Sequence, residues 1–158
     1  MPNDFDVIVV GARCAGASLA TLLARAGVRV LAVDADIAGT DQVLSTHTIH
    51  PPGTDILDEL GVGAAVRALS PLSRTLRLQQ DDAIVDLHYA DGRGELCPRR
   101  DRLDGLLQQA AIDAGAEFQD HCRVADLLWD GDRVVGARTS RDGQETEVRA
   151  RLVVGADG

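Results

Sequence analysis

FDVIVVGARCAGASLATLLARAGVRVLAVD, the stretch from Phe5 to Asp34, reads as strand, turn, helix and strand. Phe5 to Val10 is short and mostly β-branched, the composition of a strand buried on both faces. Gly11-Ala12-Arg13-Cys14-Ala15-Gly16 follows as a tight turn. Ala15, Leu19, Leu22, Leu23 and Ala26 then recur at helical spacing and predict one apolar stripe. Gly27 stands where a left-handed C-terminal cap belongs. Val28 to Val33 is the next apolar run, and it stops at Asp34. Such a unit of about 30 residues implies a crossover joining two parallel strands, because parallel pairing needs a helix-length connection.

Beyond Asp34 the pattern changes. Residues 35–50 lack periodicity and hold Gly39, Thr40, Asp41 and the polar stretch Ser45-Thr46-His47-Thr48. Pro51-Pro52-Gly53 reads as a stop, with Thr54 capping a short helix over Asp55 to Leu60. A second short helix is expected over Ala64 to Leu69. Thr75 to Gln80 and Ala83 to Tyr89 alternate as strands of a hairpin turning at Asp81-Asp82. Asp101 reads as the cap of a longer helix whose stripe is Leu103, Leu106, Leu107, Ala110 and Ala114, ended by Gly115. From Arg123 the chain reads as a β-meander with turns at Asp130-Gly131 and Asp142-Gly143. Leu152-Val153-Val154 repeats the buried-strand signature and runs into Gly155-Ala156-Asp157-Gly158. A glycine-rich turn after such a strand delivers the chain onward, so a longer parent protein is expected.

The chain has 158 residues, 45% of them hydrophobic and 26% charged, which excludes a disordered or fibrous protein. No apolar run reaches the roughly 18 residues of a membrane span. The start, Met1-Pro2-Asn3-Asp4-Phe5-Asp6, is acidic where a secretory signal is basic. Cys14, Cys97 and Cys122 form an odd, scattered set without a CxxC pair, as in a cytoplasmic protein with reduced thiols. With a net charge of −9 and only Phe5, Tyr89, Phe118 and Trp129 as aromatics, the chain is a poor nucleic-acid binder. An anionic ligand would need local positive potential to offset that charge.

The turn from Gly11 to Gly16 carries the chemistry. A dinucleotide fingerprint uses glycine for the tight turn, for backbone approach to pyrophosphate, and for close helix–strand packing. Gly11 and Gly16 occupy the first and third positions and Arg13 the second. Asp34 closes the second strand, where a carboxylate accepts hydrogen bonds from a ribose diol, while the helix start offers N–H donors to the diphosphate. Arg13 either adds bulk where backbone should approach phosphate, or turns its guanidinium outward or along the diphosphate. Arg99, Arg100 and Arg102 crowd a helix start, where cations oppose the macrodipole. For Arg99 and Arg102, solvated side chains paired with Asp101 and Asp104 suffice. Asp157, between Gly155 and Gly158, suits either a hydroxyl-rich ligand or an ordinary turn. His47 and His50 lack a third ligand, so no metal site is expected. Cys14 stands at a helix start, which can lower a thiol's pKa, although its small size beside the turn is the simpler account. No Ser-His-Asp arrangement is visible, and no catalytic residue is assigned.

Together these stretches resemble the N-terminal part of FAD-dependent monooxygenases of the para-hydroxybenzoate hydroxylase type, with related halogenases and reductases. The resemblance runs along essentially the whole chain. It rests on Asp6-Val-Ile-Val-Val-Gly11-Ala-Arg-Cys-Ala-Gly16, on Asp34, on Ser45-Thr-His-Thr-Ile-His-Pro-Pro-Gly53, on Arg100-Asp-Arg-Leu-Asp104, and on Val153-Val-Gly-Ala-Asp-Gly158. It implies an α/β, Rossmann-like FAD-binding domain over residues 1–158, part of a larger enzyme. Helices and a hairpin would be inserted at 35–98, and a β-meander would cover 123–150. It implies that Gly11, Ala12, Arg13, Cys14, Ala15 and Gly16 meet the FAD pyrophosphate, and that Asp34 with Ala35 meets the adenosine. Arg100 would lie near the flavin's linker, Val124 by the adenine, and Asp157 and Gly158 would serve FAD. Arg13 replaces the family's usual glycine and Cys14 its usual proline. The implied activity is hydroxylation of a small organic substrate with NAD(P)H as electron donor, with reductase or halogenase chemistry on the same fold, or a non-catalytic nucleotide-binding module, as alternatives. The family's later Gly-Asp motif and substrate-covering sheet would come from a C-terminal part outside these residues, so this chain alone is expected to be inactive.

The insert favours FAD over NAD on its own terms. A plain NAD domain continues after the acid with another helix and parallel strand, whereas here an elaborated segment intervenes before Asp101. A structureless insert of that length would be unusual, so it is expected to carry its own architecture.

Overall fold

The computed structural model describes residues 4–38, 47–90 and 92–158. Gly39 to Thr46 lie outside the described residues, and with them the expectations placed on Gly39, Thr40, Asp41, Ser45 and Thr46.

β1 (Phe5–Val10), α1 (Cys14–Arg25) and β2 (Val30–Val33) form the opening unit, and β1 pairs with β2 in parallel. β2 starts two residues later than the apolar run suggests. Gly27, at φ +79°, bonds back to Ala24, and the Val28 N–H is used on Leu23 to close the helix end. The face that α1 buries also differs from the expected stripe. Gly16, Ala17, Ala20 and Thr21 are buried, whereas Ala15, Leu22 and Ala26 are exposed and Leu19 and Leu23 pack only at the edge. The reason is packing on two sides, since α1 lies against β1 and also against a second helix, and only small residues fit both. A Cβ on Gly16 would sit 1.7 Å from the Gly11 carbonyl oxygen. Thr21 satisfies its buried hydroxyl on the Ala17 carbonyl at 2.8 Å.

α2 (Pro51–Glu59) and α3 (Gly63–Leu69) follow. Pro51 starts α2 rather than stopping the chain, because a first-turn N–H has no intrahelical acceptor and proline lacks none that is needed there. Thr54 is therefore inside the helix, its hydroxyl donating to the Pro51 carbonyl at 2.7 Å. β3 (Leu72–Ser73), β4 (Thr75–Gln80), β5 (Ala83–His88) and β6 (Glu95–Leu96) make two small antiparallel sheets, β3 with β6 and β4 with β5. The hairpin turns at Asp81-Asp82 as expected, with Asp81 at φ +50°.

α4 (Arg100–Asp113) is capped by Arg99, not by Asp101. Asp101 lies in the first turn and pairs with Arg99 and Arg102, both at 3.7 Å. Leu103, Leu107 and Ala110 are buried as expected, and so are Asp104 and Gln108. β7 (Glu117–Gln119) then adds a third parallel strand beside β2, too short for its periodicity to show in the sequence.

β8 (Arg123–Asp130), β9 (Arg133–Arg141) and β10 (Gln144–Gly155) form the meander. Leu152 to Val154 are not a separate strand. β10 is one 12-residue strand whose first half pairs antiparallel with β9 and whose second half pairs parallel with β1. The order of the large sheet is β7-β2-β1-β10-β9-β8. One face, with Val7, Val9, Val30 and Ala32, packs on α1 and α4 through Ala20 and Ala111. The other, with Ile8, Leu31 and Val33, packs on Cys122, Ala137 and Ala150 of the meander side.

Candidate functional site

β2 and β7 lie on one side of β1 and β10 on the other, so the strand order reverses direction at β1. Loops leaving the C-terminal ends of strands diverge at such a point and open a crevice. A cavity of about 200 Å³ lies there, lined by Gly11 and Arg13, by Asp34 to Asp36, by Cys122 to Val124, and by Ala156 and Asp157. That is less than the roughly 300–1,000 Å³ of a pocket that swallows a whole drug-sized ligand. It suits one end of an extended molecule.

Gly11 forms one wall. Its φ is +88°, and a Cβ there would lie 2.7 Å from the Asp157 Cα, so the first turn and the turn after β10 touch backbone to backbone. The Ala156 N–H donates to the Val10 carbonyl at 2.7 Å and locks the two turns together. Asp34 is buried. One carboxylate oxygen accepts the Ala12 N–H at 2.7 Å, and the other accepts the Asp36 N–H at 3.0 Å. A carboxylate offers about four acceptor positions, so two remain for outside donors such as a pair of ribose hydroxyls.

Arg13 does not lie free in the crevice. Its guanidinium reaches over to Asp36 at 2.5 Å. The charged side chains of the cavity are therefore Arg13 and Arg123 against Asp34, Asp36 and Asp157, which leaves no cationic surplus. Positive potential must come from backbone. α1 starts at Cys14 without a side-chain cap, and its first-turn N–H groups have no intrahelical acceptor.

Ala12, Cys14, Ala15, Gly16, Arg100 and Gly158 do not line the cavity. Ala12 and Gly16 shape the turn from behind. Arg100, largely buried, pairs with buried Asp104 through two contacts of 3.2 and 3.1 Å. Asp104 also accepts the Cys14 S–H at 3.2 Å. Burial first, and then the Asp104 charge, pushes the Cys14 thiol up to about 11, which reverses the lowering that a helix start suggests. Sequence reasoning passed over Asp36, Cys122, Arg123, Asp104 as a partner of Cys14, and Gln108. Only Asp104 and Gln108 left a usable trace, as polar residues one helical turn apart beside the stripe of α4.

His50 and His47 part company. His50 Nδ1 lies 2.6 Å from the buried Glu95 carboxylate, and the same oxygen accepts the Tyr89 hydroxyl. That hydrogen bond, and then burial, raises the Tyr89 pKa. Among the described residues no group of three His, Cys, Asp or Glu side chains is placed to hold a metal ion. Among them, too, no helix is long and apolar enough to cross a membrane.

Known proteins share this fold. The chain is 32% identical over 166 residues to the probable electron transfer flavoprotein-quinone oxidoreductase YdiS of Escherichia coli, covering 99% of this chain and 37% of that protein. Its fold superposes with a TM-score of 0.89, at 27% identity, on the myxobacterial chondrochloren halogenase CndH, covering 99% and 38%. It also superposes on aklavinone-11 hydroxylase, solved with FAD and aklavinone, with a TM-score of 0.75 at 26% identity, covering 100% and 34%. The chain thus spans well under half the length of each. Residues 4–158 match the family described as FAD binding domain, and with its glycine turn, buried strand-end carboxylate and meander in place, the chain belongs to that family.

Proposed function

We propose that these 158 residues are the FAD-holding part of an NAD(P)H-using monooxygenase of the para-hydroxybenzoate hydroxylase type, acting on a small organic substrate. The observation that carries the reading is the crevice itself. A buried carboxylate with spare acceptor positions faces a helix start across two glycine turns in contact. In this reading Asp34 accepts the adenosine ribose hydroxyls, Ala35 and Val124 flank the adenine, and the first-turn N–H groups of α1 meet the diphosphate. Arg13 covers the crevice from Asp36. Arg100 stands toward the flavin's linker, and Asp157 with Gly158 closes the far side. When bound, the flavin accepts a hydride and passes electrons on. The protein's residues bind and orient it, and no catalytic side chain is assigned among them.

A second reading, a reductase or halogenase on the same fold, draws on the likeness to the quinone oxidoreductase and to the halogenase. Both readings share the FAD site, whereas a non-catalytic nucleotide module would not take flavin.

Titration of the chain with FAD, followed by flavin fluorescence quenching, should saturate. Asp34→Ala should weaken that binding at least tenfold, the worth of roughly 1.5–3 kcal/mol for hydrogen bonds to a charged group. The chain alone should bind FAD weakly and show no substrate-dependent NADPH oxidation. Absence of saturable uptake would remove the flavin reading, and robust turnover would remove the claim that catalysis needs further chain.

A further inference from the structure

We infer that Gln108, on α4, is a positioning residue for the diphosphate end of the crevice, and that it acts through the Ala12–Arg13 peptide. This rests on the FAD reading above and deepens it. Gln108 is 96 residues from Ala12 along the chain, yet in space it touches the turn. Its side-chain amide donates to the Ala12 carbonyl at 3.0 Å, in a buried contact. The Ala12 N–H is committed on the other side to the Asp34 carboxylate. Both peptide groups flanking Ala12 are therefore held by side chains from distant elements.

The consequence is geometric. The peptide is trans and planar, so the Ala12 carbonyl and the Arg13 N–H point in opposite directions. Turning that carbonyl onto Gln108 turns the Arg13 N–H away from α4. No cavity-lining residue comes from α4, and Arg13 itself lines the cavity. The amide that an anion would meet first, just before α1 begins, is thus aimed by a glutamine that never touches the ligand. Without it the Ala12–Arg13 peptide can rotate, and the first donor of the nest is lost.

The other end of the same amide explains why glutamine here is not simply core. Donating to a carbonyl requires the nitrogen at that end, which leaves Oε1 buried without a hydrogen-bond partner among the described residues. An unsatisfied buried acceptor destabilises a fold. The glutamine thus satisfies one buried acceptor, the Ala12 carbonyl, and strands another, so its net contribution to stability is small and its effect falls on the orientation of the turn.

Binding and stability should therefore separate. Gln108→Met keeps the shape and removes the orphaned oxygen. Its melting temperature should change little, because one unpaired buried acceptor, the Gln108 oxygen, is exchanged for another, the Ala12 carbonyl, while ADP and FAD bind about tenfold more weakly, the value of one buried hydrogen bond. Adenosine, which has no phosphate, should bind within about twofold of wild type, because Asp34 is untouched. Gln108→Glu, which sets a carboxylate against the carbonyl, should lose ADP binding further. Calorimetric or NMR titrations with ADP, adenosine and FAD read these outcomes. Unchanged ADP affinity in Gln108→Met would overturn the inference. So would an equal loss of ADP and adenosine with a lowered melting temperature, which would mark a purely structural role. A wild-type chain that takes up no FAD or ADP would overturn the flavin reading, and this inference with it.

Discussion

Cys14 begins a helix, a position that ordinarily favours the thiolate, yet its pKa is raised to about 11. Two local facts outweigh the helix start. The thiol is partly buried, and it donates to a carboxylate rather than facing a cation. Arg100 pulls in the lowering direction but is already engaged with Asp104. The sign for stability follows from the folded pKa lying above the ordinary value of 9.0. Folded and unfolded chains hold the proton equally below about pH 9, and as pH rises toward 11 the unfolded chain ionises first, so stability falls across that window. Iodoacetamide at pH 8 should modify exposed Cys97 much faster than Cys14, measured by peptide mass spectrometry. Equal rates would mean that the Asp104 contact does not hold the thiol.

At the scale of elements, α1 and α4 are joined by polar contacts as well as by small residues. Arg100 and Asp104, a turn apart on α4, form an ion pair in which the two side chains are only 15% and 5% exposed. Breaking such a pair from one side strands a buried charge and costs about 3 kcal/mol or more, whereas replacing both partners with apolar residues is often neutral. Arg100→Met alone should therefore lower the urea midpoint clearly, and Arg100→Met with Asp104→Leu should recover most of it. A double variant no better than the single would place the cost in lost packing instead. The hairpin of β4 and β5 behaves differently. Leu76, Leu78, Val85 and Leu87 share one face, and Leu78, Val85 and Leu87 are about half exposed. The opposite face carries the Arg77–Asp86 ion pair.

For the molecule as a whole, charge sets the conditions of binding. The net charge is −9, and the crevice holds two arginines against three aspartates. A diphosphate must approach against that field and be held by backbone amides at short range. Salt screens the long-range repulsion more than the contacts, so raising ionic strength from about 10 to 150 mM should strengthen FAD binding and speed association. Stopped-flow fluorescence at several salt concentrations reads this directly. A rate that falls with salt would point to a cationic steering surface that these residues do not supply.

Much of this was written locally. The opening unit, the hairpin turn at Asp81-Asp82, the Asp-Gly turns and the helix ending at Gly115 depend on backbone preferences and on periods of 2 and 3.6 that a few neighbouring residues carry. Those same signals mark Gly11, Gly16, Asp34 and Asp157. What folding in three dimensions added depends on residues far apart in the chain. The buried face of α1 is its small-residue side because a second helix also presses on it. β7 is too short to announce itself and exists because β2 needs a partner. β10 combines antiparallel and parallel pairing in one strand because its halves meet different neighbours. Arg13 turns to Asp36, Cys14 to Asp104, and Gln108 to the Ala12 carbonyl, since each of those partners arrives through packing, and no local pattern encodes a contact between distant segments.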